Sequence, residues 1–331
     1  MAAKLRVGIV GAGMAGLTVA KSLAKVADVT IFEKSKGVGG RMATRRIGDV
    51  AFDHGAQYFT VRDEEFGNLV NEACSIGLVK PWMGDVVSLA EGNPVRRVFP
   101  SSTRYVAVPS MTALPKWISA GLDIRLGLRV DEIIGEPARW HIRAGDVLEG
   151  PFDWIIVTAP AAQTAALLPS MFAHHQIINN VRMHACFTLM ITRDANTIVP
   201  FSGAHVSDPI IGWIAFNQTK PGRTGPASVV VNANSAWADS NIDLPVDIVH
   251  AEMMIGLQRF MRIELAEAKT TVLHKWRYAD VETPAREPFL WDKQTQLAAC
   301  GDWCIAGRVE AAYMSGLSLA KALKGVSAVG N

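Results

Sequence analysis

Residues 4–23 read KLRVGIVGAGMAGLTVAKSL, and this stretch limits the possible folds more than any other in the chain. An apolar run, Val7 to Val10, leads into Gly11-Ala12-Gly13-Met14-Ala15-Gly16. After it, Leu17, Ala20 and Leu23 recur on one face of a helical pattern. G-x-G-x-x-G between a strand and a helix marks a dinucleotide-binding unit. Gly11 permits the tight turn, Gly13 lets the backbone approach a pyrophosphate, and Gly16 lets helix and strand pack closely. The start of the helix offers free N–H groups and a partial positive charge to the phosphates. A second strand, Asp28 to Glu33, ends in a carboxylate 22 residues beyond Gly11, where an acid meets ribose hydroxyls. A carboxylate there repels a 2′-phosphate, so an adenosine half without one is expected.

The next segment, KSKGVGGRMATRR from Lys34 to Arg46, separates flavin from nicotinamide. A nicotinamide dehydrogenase normally continues into another βα unit. A flavin protein must also clamp the pyrophosphate and thread an isoalloxazine inward. Gly39 and Gly40 followed by Arg41 supply a second phosphate-approach loop with a fixed cation. Lys34, Lys36, Arg45 and Arg46 crowd the same loop, so an ordinary surface arginine is the alternative.

Length supports two domains: 331 residues are enough for a large core. The net charge of +2 comes from scattered basic residues, which argues against nucleic acid as a partner. The four cysteines form no framework of spaced pairs, so a reduced, cytoplasmic setting is expected. Cys300 and Cys304 have no His or Cys partner set, and no metal is expected. The glycine motif leaves no room for a signal peptide ahead of it. The longest apolar stretch, Trp154 to Ala173, is interrupted by Pro160, Gln163 and Pro169 and reads as strand, turn and helix. A membrane span is not expected.

Near the C-terminus, Leu297 to Gly301 reads as a short buried strand ending at Asp302. Arg308-Val309-Glu310 then opens a helix with Ala311, Ala312, Gly316 and Ala320 as small residues. Small side chains suit close approach to something flat, and the helix N–H groups would aim at a carbonyl where negative charge collects. Asp302 is expected to accept a ribityl or ribose hydroxyl, or else to be a turn aspartate. Glu310 is equally well explained as a favourable first-turn acid. Between the ends, Leu122 to Ile134 alternates like a strand with Arg139 to Ala144 as hairpin partner, and Pro151 to Pro160 reads as a buried strand entering a turn. Cys186 to Arg193, Ile211 to Asn217, Ser228 to Asn234 and Thr270 to Tyr278 are candidate strands of an antiparallel sheet. The expected division is a discontinuous nucleotide domain (1–75, 118–162 and 290–331) and a substrate domain (76–117 and 163–289).

GAGMAGL, FEKSKGVGGRM and FDHGAQYFTVRD (residues 52 to 63) together resemble the flavin-dependent amine-oxidase superfamily. FDHGAQYFT resembles the bacterial branch of the renalase family, as do HKWRYAD (His274 to Asp280) and CGDWCIAGRVEAAYMSGLSLAKAL (Cys300 to Leu323). The matching segments run from residue 7 to residue 323. The resemblance implies an α/β fold: a Rossmann-like FAD-binding domain plus a second α+β domain with an antiparallel sheet, in the arrangement of p-hydroxybenzoate hydroxylase. It implies noncovalent FAD, with Val130 meeting the adenine through its backbone and the Thr158-Ala159-Pro160 turn near the adenosine. His54, Gly55, Ala56, Gln57 and Tyr58 would lie at the flavin, and Asp302, Arg308, Val309 and Glu310 at its far edge. Glu310-Ala311 departs from the usual Glu-Gly there, which puts fine tuning in doubt.

The resemblance also implies the chemistry. Dihydronicotinamide dinucleotides reduced at the wrong ring carbon, the 2- or 6-dihydro isomers, would be oxidised to NAD(P)+, and O2 would be reduced to hydrogen peroxide. Hydride transfer to a flavin needs orientation and water exclusion more than proton transfer, so no side chain is nominated as acid or base. His54 reads better as a hydrogen-bonded structural histidine. Trp213, Asn217 and Trp276, with Phe59 approaching beside Tyr58, are candidate pocket residues, although each could equally be core. Two rivals stand. One is an amine or other carbon–nitrogen oxidase, which would often use a lysine near the flavin. Lys275 should face away from Trp276 and is a poor candidate for that lysine. The other is a flavin-binding interaction protein. Oligomeric state is not readable.

Overall fold

The computed structural model describes residues 4–93, 95–99, 101–193, 201–261 and 270–329. A six-stranded sheet runs in the order Leu290–Asp292, Leu297–Ala299, Trp154–Val157, Leu5–Val10, Ala27–Glu33 and Asp123–Leu126. It is parallel except for the first of these strands. Ile9, Ile31, Ile155, Ile156 and Val157 are fully buried, as a parallel sheet covered on both faces requires. The opening helix, Met14–Leu23, lies tight on this sheet. A Cβ at Gly16 would run into the Gly11 carbonyl oxygen, and Gly11 itself takes a left-handed φ of 107° beside Thr158. These two glycines are therefore demanded by geometry.

The second sheet has seven strands: Thr270–Thr283, Arg182–Thr192, Ser228–Ala233, Ile211–Phe216, Gly203–Ser207, Val86–Ala90 and Arg96–Arg97. All neighbours are antiparallel except Gly203–Ser207 with Val86–Ala90. Phe187, Leu189, Ile191, Val229 and Val231 alternate onto one face and bury against Val249, Met253 and Leu257 of helix Val246–Gln258. The antiparallel sheet expected from the candidate strands is thus present, with two of them extended: one begins at Arg182 and another continues to Thr283.

Two expectations are corrected. Leu122 to Ile134 is not one strand. Gly127 takes φ 73° and breaks the run, so Asp123–Leu126 edges the parallel sheet while Glu132–Ile134 pairs with Trp140–Ala144 in a separate meander. The small residues of the closing helix, Val309–Val329, also have a nearer partner than a flat ring. A Cβ at Gly316 would strike the Ala15 carbonyl, and Leu319, Ala320 and Leu323 share the buried cluster of Leu17 and Ala20. Much of that small-residue stripe is helix–helix packing, joining the two ends of the chain. Residues 163–180, expected on the substrate side, place Leu168, Phe172 and Ile178 in one cluster with Val10 and Ile155.

Candidate active site

At the nucleotide end, the first two strands stop at the same edge as Thr158, whose N–H and hydroxyl both donate to the Val10 carbonyl. Glu33 is 7% exposed and accepts from the N–H of Ala12 (2.8 Å) and of Ser35 (2.8 Å). The carboxylate therefore sits directly under the glycine turn, held by backbone donors. Gly39 donates to the Ala12 carbonyl, and a Cβ on Gly40 would come 3.4 Å from the Gly13 Cα. The two glycine loops touch there. The position of a Gly13 Cβ has nothing within 4 Å and faces open space. Ala12, Met14 and Ala15 are buried behind it, and Lys34 is exposed.

Arg41 is neither a surface arginine nor a free cation. Its guanidinium grips Asp302 with two parallel bonds of 2.7 and 2.5 Å and donates to the Ala279 carbonyl at 3.3 Å. This fork geometry is the strong form of the arginine–carboxylate pair. It ties the second glycine loop to the closing motif. Val130 is buried in an irregular linker, not in a strand, and Leu128 just before it donates to the Glu33 carbonyl at 3.0 Å. Arg308 is exposed at the head of the closing helix.

FDHGAQYF crosses from this end to the second sheet. A Cβ on Gly55 would collide with the Arg41 carbonyl, which already accepts from the Ala56 N–H at 2.8 Å. Beyond it, the buried Glu310 carboxylate accepts from the N–H groups of Arg62 (2.6 Å) and Asp63 (2.8 Å). Glu310 is thus a tether as well as a first-turn acid. His54 is 6% exposed, its Nδ1 has no partner among the described residues, and its ring packs on His274 and Trp276. Burial first, then the positive neighbourhood of His274 and Arg45, pulls its pKa down to about 4. At neutral pH the imidazole is uncharged.

The second-sheet side carries an ionic cluster that sequence reasoning missed. Asp53 accepts from Arg223 at 2.6 Å and lies 3.5 Å from the Lys220 ammonium, with both carboxylate and ammonium fully buried. Lys220 also donates to Gln57 Oε1 at 3.1 Å, while Gln57 Nε2 donates to the carbonyls of Asp53 and Gly55. Burial pulls the ammonium down to about 8 against the opposing pull of Asp53. The two cations and the Met111 N–H keep Asp53 below the usual carboxylate range despite its burial. Asp53 was inside the quoted motif but had no role. Lys220 lies just before a proline-glycine turn, where a lysine ordinarily reads as solvated.

Trp82 and Arg104, also missed, complete an aromatic wall. The Tyr58 ring lies 6.0 Å from Trp82 and 5.9 Å from Trp213, and the Arg104 guanidinium sits 5.4 Å above it. The Lys220 ammonium lies 5.7 Å over Trp82. Of the four expected pocket residues, only Trp213 joins this wall. Trp276 lies instead at His54, donating to its carbonyl at 3.0 Å. Asn217 is 1% exposed and spends Nδ2 on the Ala51 carbonyl. Phe59 points into the core, stacked on Tyr105 and edge-on to Phe66, because its backbone pairs with Tyr105 and Tyr58 takes the opposite face. Cys300 and Cys304 are fully buried, and burial pushes the Cys304 thiol up to about 12. No metal-ligating cluster occurs among the described residues, and none of their helices is long and apolar enough to cross a membrane.

Residues 9–73 match the NAD(P)-binding Rossmann-like domain, and residues 104–324 match the flavin containing amine oxidoreductase family. Similar solved structures include a putative protoporphyrinogen oxidase from Exiguobacterium sp. 255-15, with 13% identity and a TM-score of 0.79 over 98% of this chain and 99% of that one. A putrescine oxidase bound to putrescine gives 14% and 0.70 over 98% and 100%. The cyclohexylamine oxidase of Brevibacterium oxydans IH-35A gives 13% and 0.71 over 97% and 98%. At such identity the likeness is one of fold.

Proposed function

The chain belongs to the flavin containing amine oxidoreductase family, with FAD as its cofactor, and from that premise we propose a renalase-like oxidase acting on the 2- or 6-dihydro isomers of NAD(P)H. The residues present fit FAD: the face over Gly13 is open, Gly40 abuts Gly13, and Gly55 abuts the next residue, Arg41. In this reading Gly11 to Gly16 with Gly40 hold the diphosphate and Glu33 the ribose. Arg41 and Asp302 brace the two ends, and Val309-Glu310 presents helix N–H groups to the ring. The nucleotide unit is 1–75, 118–162 and 290–331, with residues 163–180 packed against its sheet. Bound FAD supplies the redox chemistry: the donor carbon gives up a hydride to become NAD(P)+, and O2 takes the two electrons and two protons as hydrogen peroxide. The chain contributes orientation. Neutral His54 adds no charge, and the aromatic wall of Tyr58, Trp82 and Trp213 offers flat faces to a planar donor and keeps water out.

One observation carries the choice of donor. The wall bears cations, and the nearby acids are already matched: Asp53 by Arg223 and Lys220, Asp85 by Arg97. A protonated amine would find no free carboxylate there among the described residues, whereas an anionic dinucleotide meets complementary charge. The experiment is anaerobic mixing of the holoenzyme with 6-dihydroNAD, with 4-dihydroNAD and with a panel of amines. Rapid bleaching of the flavin by the 6-dihydro isomer alone is expected. Bleaching by amines only would transfer the assignment to an amine oxidase. Denaturation should release the yellow colour, since neither buried C-terminal thiol is available as a thiolate.

A further inference from the structure

We propose that Arg104 is the anion anchor of the substrate site, holding the diphosphate of the donor while its ring lies toward Tyr58 and Trp213. The inference rests on the dinucleotide reading above and extends it to a site that the family motifs do not include. Arg104 is 8% exposed, and among the described residues no carboxylate pairs with it; its partner is the Tyr58 ring. Its guanidinium nitrogens have no acceptor among the described residues and border the adjoining cleft, so an anion entering there would complete their hydrogen bonds.

The surroundings agree with this assignment. Arg104 lines a cleft of about 450 Å³ together with Trp82, Arg97, Ser101, Ser102 and Thr103. Hydroxyls and arginines together make a phosphate-binding set. The one acid in the lining, Asp85, is taken by Arg97 at 2.8 Å. Across the Tyr58 ring, the buried Trp213 Nε1 has no acceptor, although a buried indole N–H normally finds one. The site therefore presents two unmet donors, the Arg104 guanidinium and Trp213 Nε1, suited to phosphate oxygens at one end and to a carbonyl such as a carboxamide at the other. Phe99 is 85% exposed on the rim and offers a flat face to the distal base.

The test uses holoenzyme and three 6-dihydro donors under anaerobic conditions: the dinucleotide, the mononucleotide and the riboside. Wild type should prefer the dinucleotide over the riboside by about 10- to 100-fold in reduction efficiency, carried by the concentration for half-maximal rate. In Arg104→Gln that preference should collapse to about threefold or less, and Arg104→Lys should fall between. Equal use of riboside and dinucleotide by wild type, or an undiminished preference in Arg104→Gln, overturns the anchor. If Arg104→Gln does not fold, the wild-type donor series decides alone, with a preference that weakens as salt rises. If no dihydronicotinamide donor bleaches the flavin, the proposed function fails. The anchor then stands only if inorganic pyrophosphate raises the thermal transition of wild-type holoenzyme and leaves Arg104→Gln unmoved.

Discussion

The segment FDHGAQYFTVRD is held from two sides, and the two seams are made of different material. Toward the closing helix, the contacts are largely backbone: Ala56 N–H on the Arg41 carbonyl, Gly55 where no side chain fits, and the N–H groups of Arg62 and Asp63 on Glu310. Toward the second sheet, the contacts are buried side-chain charges: Asp53 between Lys220 and Arg223, with Gln57 completing the set. The first seam tolerates a change of side-chain charge, because glycine geometry and amide bonds do much of the holding. The second does not, because each member removed leaves another charge uncompensated in a low-dielectric interior.

The largest expected effect follows from removing the central acid. Asp53 accepts from Arg223, from Thr44 Oγ1 and from the Met111 N–H, and lies beside Lys220. Asp53→Asn keeps the volume and deletes the charge, leaving two cations in contact. A loss of about 3–5 kcal/mol is expected, read by denaturant unfolding of the holoenzyme. Adding Lys220→Met should return part of it, since one uncompensated charge is removed. A double variant no more stable than Asp53→Asn would show that Arg223 alone accounts for the acid.

The same contrast explains what was legible in the sequence. Gly11 and Gly16 announce themselves because backbone geometry fixes glycine at fixed offsets, and Glu33 follows at the spacing the motif predicts. The structure puts all three around one turn, whereas Gly55 was legible only through the family resemblance. Asp53 and Lys220 are 167 residues apart (220 − 53), and no local pattern pairs them. Lys-Pro-Gly reads as a solvated turn. Lys220 alone of the three is buried, because the turn folds against Val108, which a Cβ on Gly222 would strike. Tyr58 and Phe59 were both expected at the pocket, but neighbours in an extended segment face opposite ways, and which of them met the core was set by the distant partner Tyr105. Arg104 carried no signal, since an arginine reads as buried only once Trp82, Tyr58 and Trp213 are assembled around it.

His54, at the meeting of the two seams, gives the next effect. Its pKa is drawn down to about 4 from an ordinary 6.5, chiefly by burial. Between those values the unfolded chain binds a proton that the native protein refuses, so stability falls as pH drops through the window and is fully present above it. The ceiling is about 3 kcal/mol. Unfolding free energies measured from pH 7.5 to 4 should decline along this curve. His54→Gln should flatten it, leaving the smaller decline from His274 and His205, whose pKa values are also lowered by burial. An unchanged slope in His54→Gln would place the acid sensitivity elsewhere.

The smallest effect belongs to the backbone seam. Glu310→Gln retains an oxygen where Oε1 now meets Arg62 and Asp63, so both amides keep an acceptor. What is lost is the charge-assisted part of two bonds and one favourable acid in the first helical turn, together about 1 kcal/mol. The loss should be local: hydrogen exchange at the Arg62 and Asp63 amides should quicken by about tenfold or less, with global unfolding shifted little. The argument for two kinds of seam turns on this number. A loss of the size expected for Asp53→Asn would mean that Glu310 also acts as a buried charge. The closing helix would then be held to FDHGAQYFTVRD by electrostatics as the second sheet is, and the closeness of Gly55 and Ala56 to Arg41 would be a consequence of that grip.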